Sequence, residues 1–410
     1  MGKQFQWTRY PNLGNLYRIC FPLHMSSDDY FNSATIESMA DSYNSKWKRY
    51  PNDVIQMWLA SSDFKITPEI KQALHTAVDN EQVFYDTDLE ARVAMAEKIG
   101  RVNNLEVTED DVMVVQGVEP ILWLAMRQAC APGEEVVLPN PAYNGFVHVA
   151  EELEIKPVYW DLDFDDGYKF DEERLKELVN KNTKLLCLCN PHNPAGRVMT
   201  KEELKAVADI AVDNNIRVFM DELWEDIRFD GREHVTLATL SPEISDLTAT
   251  AWGVSKTHSV AGLYLGYMAT TNKEILADYK KTAASVQRGS NTLARAIAPV
   301  MLDETLDWFR HDIMVHLTKI RDLCYKRMND IPGVTFPKLE GTYVPFPKFD
   351  YGLTSEELHK YLVEEAKVAF NPGSGFGPLG EGHMRVCIAT SEGIMNEAID
   401  RLETALSKLP

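Results

Sequence analysis

Between residues 111 and 270 the chain alternates short β-rich apolar runs with amphipathic helical patterns, and this alternation limits its fold more than any other feature. "DVMVV" (111–115) precedes "PILWLAMRQAC", and "EEVVLP" (134–139) precedes "YNGFVHVAEEL". "KLLCLCN" (184–190) leads through a turn-rich stretch to "KEELKAVADIAVDNN". "IRVFMDE" (216–222), "LTATAW" (247–252) and "YLGYMAT" (264–270) supply further strands. Runs that are apolar on both faces and separated by helices require a mostly parallel sheet covered on both sides, which is an α/β layer. In such sheets ligands gather at the carboxyl ends of the strands, so the informative residues lie just after each run.

From about residue 300 the pattern changes to a long amphipathic helix, "DETLDWFRHDIMVHLTKIRDLCYKRMND", and then to shorter elements. Thr354 with Glu357 three residues later forms a capping-box signature, and Thr67-Pro68 marks another helix start. With 410 residues the chain exceeds one ordinary core. We read residues 1–60 as the N-terminal segment of a small α+β domain, 61–299 as a large domain with helices on both faces of its sheet, and 300–410 as the rest of the small domain. The 42 basic and 62 acidic residues give a net charge of −20, dispersed along the chain without a basic stripe. Nucleic acid and anionic membranes are therefore excluded as expected partners. Six cysteines show no repeated metal-ligand spacing, so no metal is expected, and their apolar neighbours mark them as small hydrophobes. With no leader peptide and no membrane-length apolar run, a reducing cytoplasm is the expected location.

Several strand ends carry chemistry. Lys256 sits in "AWGVSKTHSVAGLYLGYM", among apolar and small residues, where an ammonium is costly to bury. Three readings compete: a snorkelling surface lysine, half of a buried ion pair, or an amine that attacks a carbonyl. Gly117, followed by Val118-Glu119-Pro120, opens a helix whose first free N–H groups suit an oxyanion, although an ordinary strand-to-helix turn reads the same. Tyr143 either stacks on a flat ligand or packs, and Asn193 lies at the centre of the turn-rich "NPHNPAGRV". Asp221 ends a buried strand, where a carboxylate needs a cation or donors, and Arg385 starts another in "HMRVCIAT". Together these residue types suit pyridoxal 5′-phosphate, which needs a Schiff-base lysine, an acid for its pyridine nitrogen, a donor for its phenolate and a phosphate cradle.

On the motifs "NPHNPAGRV", "VFMDELWEDI", "GVSKTHSVAGLYLGY" and "GHMRVCIAT", in family order over roughly residues 50–405, the chain resembles the class I/II aminotransferases among the fold-type I pyridoxal-phosphate enzymes. The resemblance implies that Lys256 is the Schiff-base lysine and later the acid/base at Cα, and that Asp221 keeps the pyridine nitrogen protonated. It implies that Asn193 contacts the phenolic oxygen and borders the substrate, that Tyr143 stacks on the ring, and that Val118, Glu119 and Ser255 hold the phosphate. Arg385 would clamp the substrate carboxylate. Three positions depart from the family pattern. Trp224 replaces a tyrosine, and either donates its indole N–H to the phenolic oxygen or merely packs. Tyr264 replaces an arginine and Gly253 a serine, so neutral donors, Tyr264 among them, must serve the phosphate. Tyr85 lies near the family position that reaches the neighbouring subunit's phosphate, and with "SVQRGSNTLARA" (285–296) it implies a homodimer in which Arg288 either reaches the partner's substrate or is solvated.

Within the family, "KWKRYPNDVIQMWLASSDF", "GVEPIL" and "NPGSGFGPLGEGHMR" resemble the C–S β-lyases of the cystathionine β-lyase type. Transamination of an amino acid, the family's prevalent activity, is the expected reaction. β-Elimination, a specialised amino-acid tailoring reaction, and a noncatalytic cofactor-binding regulator are the alternatives.

Overall fold

The computed structural model describes residues 26–410 apart from Arg288, which lies outside the described residues together with residues 1–25 and Cys20. Its centre is a seven-stranded sheet built from β1 (Val112–Val115), β2 (Glu135–Asn140), β3 (Lys156–Asp161), β4 (Thr183–Cys189), β5 (Arg217–Asp221), β6 (Thr248–Gly253) and β7 (Gly266–Ala269). The spatial order is β1-β7-β6-β5-β4-β2-β3. The chain is an α/β protein, as the alternation requires. Pairings β2/β3, β2/β4, β4/β5 and β5/β6 are parallel, while β7 runs antiparallel to both β1 and β6. The reversal follows from the connection: no long helix lies between β6 and β7, so the chain has no crossover with which to return in parallel.

Alternate strand residues serve two cores. Leu185, Cys187, Cys189 and Phe219 enter one apolar cluster, and Leu186, Leu188, Val218 and Met220 the other. Burial on both faces explains why these runs are apolar without alternation. Cys187 and Cys189 share one face, and all five described cysteines are free and buried, as small hydrophobes should be. The sequence reading missed β3. It is an edge strand with mixed burial that carries Pro157, so it lacks the continuous apolar run of a central strand.

The helices begin where the capping signals stand. Thr67 caps α1 (Pro68–Asp79) with Pro68 at its first turn, and α2 (Glu119–Ala129) starts directly after the β1 turn. Tyr143 precedes α3 (Asn144–Glu152), and Thr200 with Glu203 forms the capping box of α4 (Lys201–Asp213). Beyond the sheet lie α5 (Asp307–Asn329), α6 (Ser355–Tyr361), with both capping-box bonds between Thr354 and Glu357, and α7 (Glu392–Leu406). The N-terminal stretch joins this last part of the chain, because Ile55–Gln56 pairs in parallel with Val368–Ala369. A second short ladder pairs Asn371–Pro372 with Met384–Arg385, and this fixes Arg385 opposite Asn371. Among the described residues, no helix is long and apolar enough to cross a membrane.

Candidate active site

A cavity of about 350 Å³ opens at the carboxyl ends of the parallel strands. Its lining includes Val118, Glu119, Tyr143, Asn193, Asp221, Trp224, Ser255, Lys256, Tyr264 and Arg385. The fold therefore brings together ten residues that the sequence singled out, from the ends of β1, β2, β4, β5 and β6 and from the small ladder near the C-terminus. Tyr85 is not among them: it is 99% exposed on its own chain.

Asp221 is the last residue of β5, in register with Cys189 and Ala251 on the neighbouring strands, and is 6% exposed. Its Oδ1 accepts the Leu223 N–H at 2.9 Å. Burial raises its carboxyl to about 6, although the Leu223 N–H and the Lys256 ammonium both favour the charged form. Lys256 follows β6, and its Nζ donates to the Ala60 carbonyl at 2.9 Å, across 196 residues of sequence. Burial lowers its pKa to about 8, and the nearby Arg385 guanidinium acts in the same direction. The Trp224 ring centroid lies 5.5 Å from Lys256 Nζ, and Tyr343 meets the indole edge-on at 4.6 Å. The indole N–H has no hydrogen-bond partner among the described residues, so nothing in the protein competes for it.

Arg385 is 5% exposed, packs over the Phe376 ring at 4.8 Å, and donates to Asn193 Oδ1 at 3.4 Å and the Trp58 carbonyl at 3.3 Å. These bonds are long and neither partner is charged, which leaves the guanidinium fork free for a carboxylate. Asn193 sits in a turn with cis peptides at Asn190–Pro191 and Asn193–Pro194, and the Asn190 N–H bonds the Asp221 carbonyl at 2.9 Å.

At the opposite end, Gly117 adopts φ +85°, and a Cβ on Gly266 would lie 2.6 Å from the Gly117 carbonyl carbon. Two glycines thus let the β1–α2 turn press against β7, and the start of α2 lines the cavity through Val118 and Glu119. The glycine at 253 has a packing reason: a Cβ there would meet Leu223 Cδ1 at 2.7 Å. Tyr264 is 65% exposed, and its backbone is left-handed at φ +50°. The Ser290 hydroxyl bonds the Tyr264 carbonyl and the Asn291 amide the Leu263 carbonyl, each at 2.9 Å, so this turn is held from outside. Tyr143 donates its O–H to Glu119 Oε1 at 2.5 Å.

Sequence reasoning missed the contribution of Trp58 and Ala60, whose carbonyls receive Arg385 and Lys256, and of Asn371 and Gln116 in the lining. A backbone carbonyl has no side-chain signature, so only the fold reveals it. The donor set fits pyridoxal 5′-phosphate. It offers an amine beside a carboxylate, free N–H groups at a helix start with a serine hydroxyl, an aromatic residue and a free guanidinium.

Comparison with known proteins agrees. Residues 54–402 match the family described as aminotransferase class I and II. The aspartate aminotransferase of Pyrococcus abyssi is 31% identical over 86% of this chain and 92% of its own. The cystathionine beta-lyase PatB of Bacillus subtilis is 28% identical over 87% of this chain and 93% of its own. A PLP-bound structure from Clostridium difficile 630 superposes with a TM-score of 0.85 at 28% identity, covering 92% of this chain and 99% of that one. The chain belongs to the class I and II aminotransferases, and it is an enzyme whose cofactor is pyridoxal 5′-phosphate.

Proposed function

We propose that the enzyme transfers the α-amino group of an amino acid to a 2-oxo acid, with Lys256, Asp221 and Arg385 as its working residues. The observation that carries this reading is the convergence of these three side chains and Asn193 on one cavity, from four separate parts of the chain. Bound pyridoxal 5′-phosphate supplies an aldehyde carbon for imine formation and a ring that accepts the electrons left at Cα. Arg385 receives the substrate α-carboxylate on its fork and so fixes the orientation of Cα. Lys256, whose amine is lowered to about 8, takes the Cα proton with a basicity near the working pH. Asp221 holds a proton on the pyridine nitrogen, and the positive charge it meets there offsets the cost of its own burial. Asn193 donates to the phenolic oxygen, and Tyr143 covers the ring. The backbone N–H groups of Val118 and Glu119, with the Ser255 and Tyr264 hydroxyls, take the phosphate. The free Trp224 indole N–H is a further donor to the cofactor.

A second reading is β-elimination, favoured by the 28% identity to the lyase PatB and by Tyr264 in place of the arginine. Both readings share removal of the Cα proton by Lys256, and they differ in whether a group departs from Cβ. Incubation with an amino-acid panel, with and without a 2-oxo acid, decides between them. Transamination yields a new amino acid only when the oxo acid is present. Pyruvate and ammonia formed without it would establish elimination.

The same reading includes a homodimer, supported by the exposed aromatics Phe84 at 72% and Tyr85 at 99%, and by the family's two-fold assembly. Full activity of a monomer at micromolar concentration would overturn it. It also includes a reducing cytoplasm, supported by the five buried free thiols. Finally, it divides the chain near residues 60 and 300, supported by the pairing of Ile55–Gln56 with Val368–Ala369.

A further inference from the structure

Four charged side chains line the cavity among the described residues: Glu119, Asp221, Lys256 and Arg385. On the reading above, which this inference rests on, three of them have partners: the cofactor aldehyde for Lys256, the pyridine nitrogen for Asp221 and the α-carboxylate for Arg385. Glu119 has none. It makes no ion pair among the described residues, and its Oε1 accepts the Tyr143 O–H at 2.5 Å. That bond ties the carboxylate to the aromatic residue that lines the cavity. Tyr143 feels the charges of both Glu119 and Arg385, so it lies within electrostatic reach of both. The position of Glu119 at the start of α2 makes an acid welcome there, but does not explain a carboxylate directed at a ligand-facing tyrosine.

The remaining surroundings sharpen this imbalance. Tyr264 and Gly253 stand where the family pattern has an arginine and a serine, so no cation other than Lys256 and Arg385 lines this cavity among the described residues. Once the phosphate is in place, the region around Glu119 is anionic, and an acidic substrate side chain is repelled from it. We propose that the substrate is an amino acid with a second, cationic group on its side chain, an ammonium or guanidinium, and that Glu119, held by Tyr143, receives that group.

The test uses the holoenzyme with 2-oxoglutarate as acceptor and compares L-ornithine, its neutral isostere L-norleucine, and L-glutamate. The expected kcat/KM is about 10- to 100-fold higher for ornithine than for norleucine, the range of a hydrogen bond to a charged partner. In Glu119→Gln the ornithine-to-norleucine ratio falls toward unity and the glutamate-to-norleucine ratio rises. Tyr143→Phe, which removes the orienting hydroxyl, lowers the ornithine ratio by less, and serves if Glu119→Gln does not fold. A parallel calorimetric titration with α-methylornithine, which has no Cα proton to lose, reads binding alone, and its affinity falls in Glu119→Gln and with added salt. Failure of every amino acid to transfer its amino group would remove the transamination reading, while the α-methylornithine titration still judges Glu119. Equal rates for ornithine and norleucine, a preference for glutamate, or unchanged ratios and affinity in Glu119→Gln would overturn the assignment.

Discussion

Residues 221–226, "DELWED", supply two regions of opposite design. Asp221 and Trp224 face the cavity, where the acid has one backbone donor and the indole N–H has no partner among the described residues. Glu222, Glu225 and Asp226 face the other way, into a buried polar network. Lys98 Nζ contacts Glu225 and donates to Asn103 Oδ1 at 2.9 Å, while Asn103 Nδ2 returns a 2.6 Å bond to Glu225 Oε2. Thr236 Oγ1 and Trp252 Nε1 donate to Glu222 at 2.8 and 3.0 Å, and Thr257 Oγ1 donates to Asp226 at 2.8 Å. Apart from Glu222 Oε1, which has no hydrogen-bond partner, these acids are bonded within the protein, whereas Asp221 is left for a ligand to complete. A buried group without its partner is costly. Such groups persist at a binding site because the ligand restores what the fold withholds. The comparison separates residues that serve stability from residues that serve chemistry, although they are neighbours in sequence.

The largest effect should come from the cavity side. Lys256→Ala is expected to lower turnover by about 10⁴-fold or more, since it removes both the nucleophile and the proton acceptor. The variant should still fold, because a core of this size does not rest on one amine. Retained turnover would end the assignment.

On the other side of the same segment, Lys98→Met should destabilise the protein by about 3–5 kcal/mol by leaving Glu225 buried without its cation. Denaturant unfolding measures the loss. Lys98→Met with Glu225→Met should recover part of it, and the contrast fails if the single variant unfolds like the wild type.

Asp221→Asn should reverse the usual sign of a site mutation. In the cofactor-free protein the carboxyl is raised from 3.8 to about 6, so its contribution to stability is present below pH 3.8 and is lost as pH rises through 6. At pH 7 the ionised carboxylate then costs up to about 3 kcal/mol, and asparagine removes that cost. Unfolding of cofactor-free wild type and variant should agree below about pH 3.8, separate as pH rises from 3.8 to 6, and stay apart by a constant amount above pH 6 in favour of the variant. Turnover of the loaded variant should fall, because an amide cannot hold the pyridine proton. A variant less stable at pH 7 would contradict this account of Asp221.

Arg385→Lys is the mildest of these changes. It keeps the charge and loses the fork, so KM should rise about 10- to 100-fold, with a smaller change in kcat. An equal loss in both constants would mean that Arg385 acts beyond holding the carboxylate.

Much of this was legible in the chain. The apolar runs of β4, β5 and β6 announced themselves because both faces of a central strand are buried. Helix starts at Thr67 and Thr354 followed from caps that act within one turn. The edge strand β3 did not show, since a half-exposed strand has no such pattern. Lys256 and Asp221 stood out as costly side chains at strand ends, Asn193 at the centre of its turn-rich stretch, and Arg385 at the start of a strand. The partner carbonyls of Trp58 and Ala60 had no mark at all, and the glycine at 253 looked like a bare departure until Leu223 was seen against it.

The sequence by itself determined the alternation of elements, the chemistry available at each strand end and the acidic character of the chain, because periodicity and side-chain type are local properties. Only the tertiary structure decided which of the acids in 221–226 turn toward the cavity, that β7 reverses direction, and that Glu119 is held by Tyr143. Those outcomes depend on groups brought together across 196 residues between Ala60 and Lys256 and 327 between Trp58 and Arg385. Contacts at such separation arise from packing the whole core, and no local pattern encodes them.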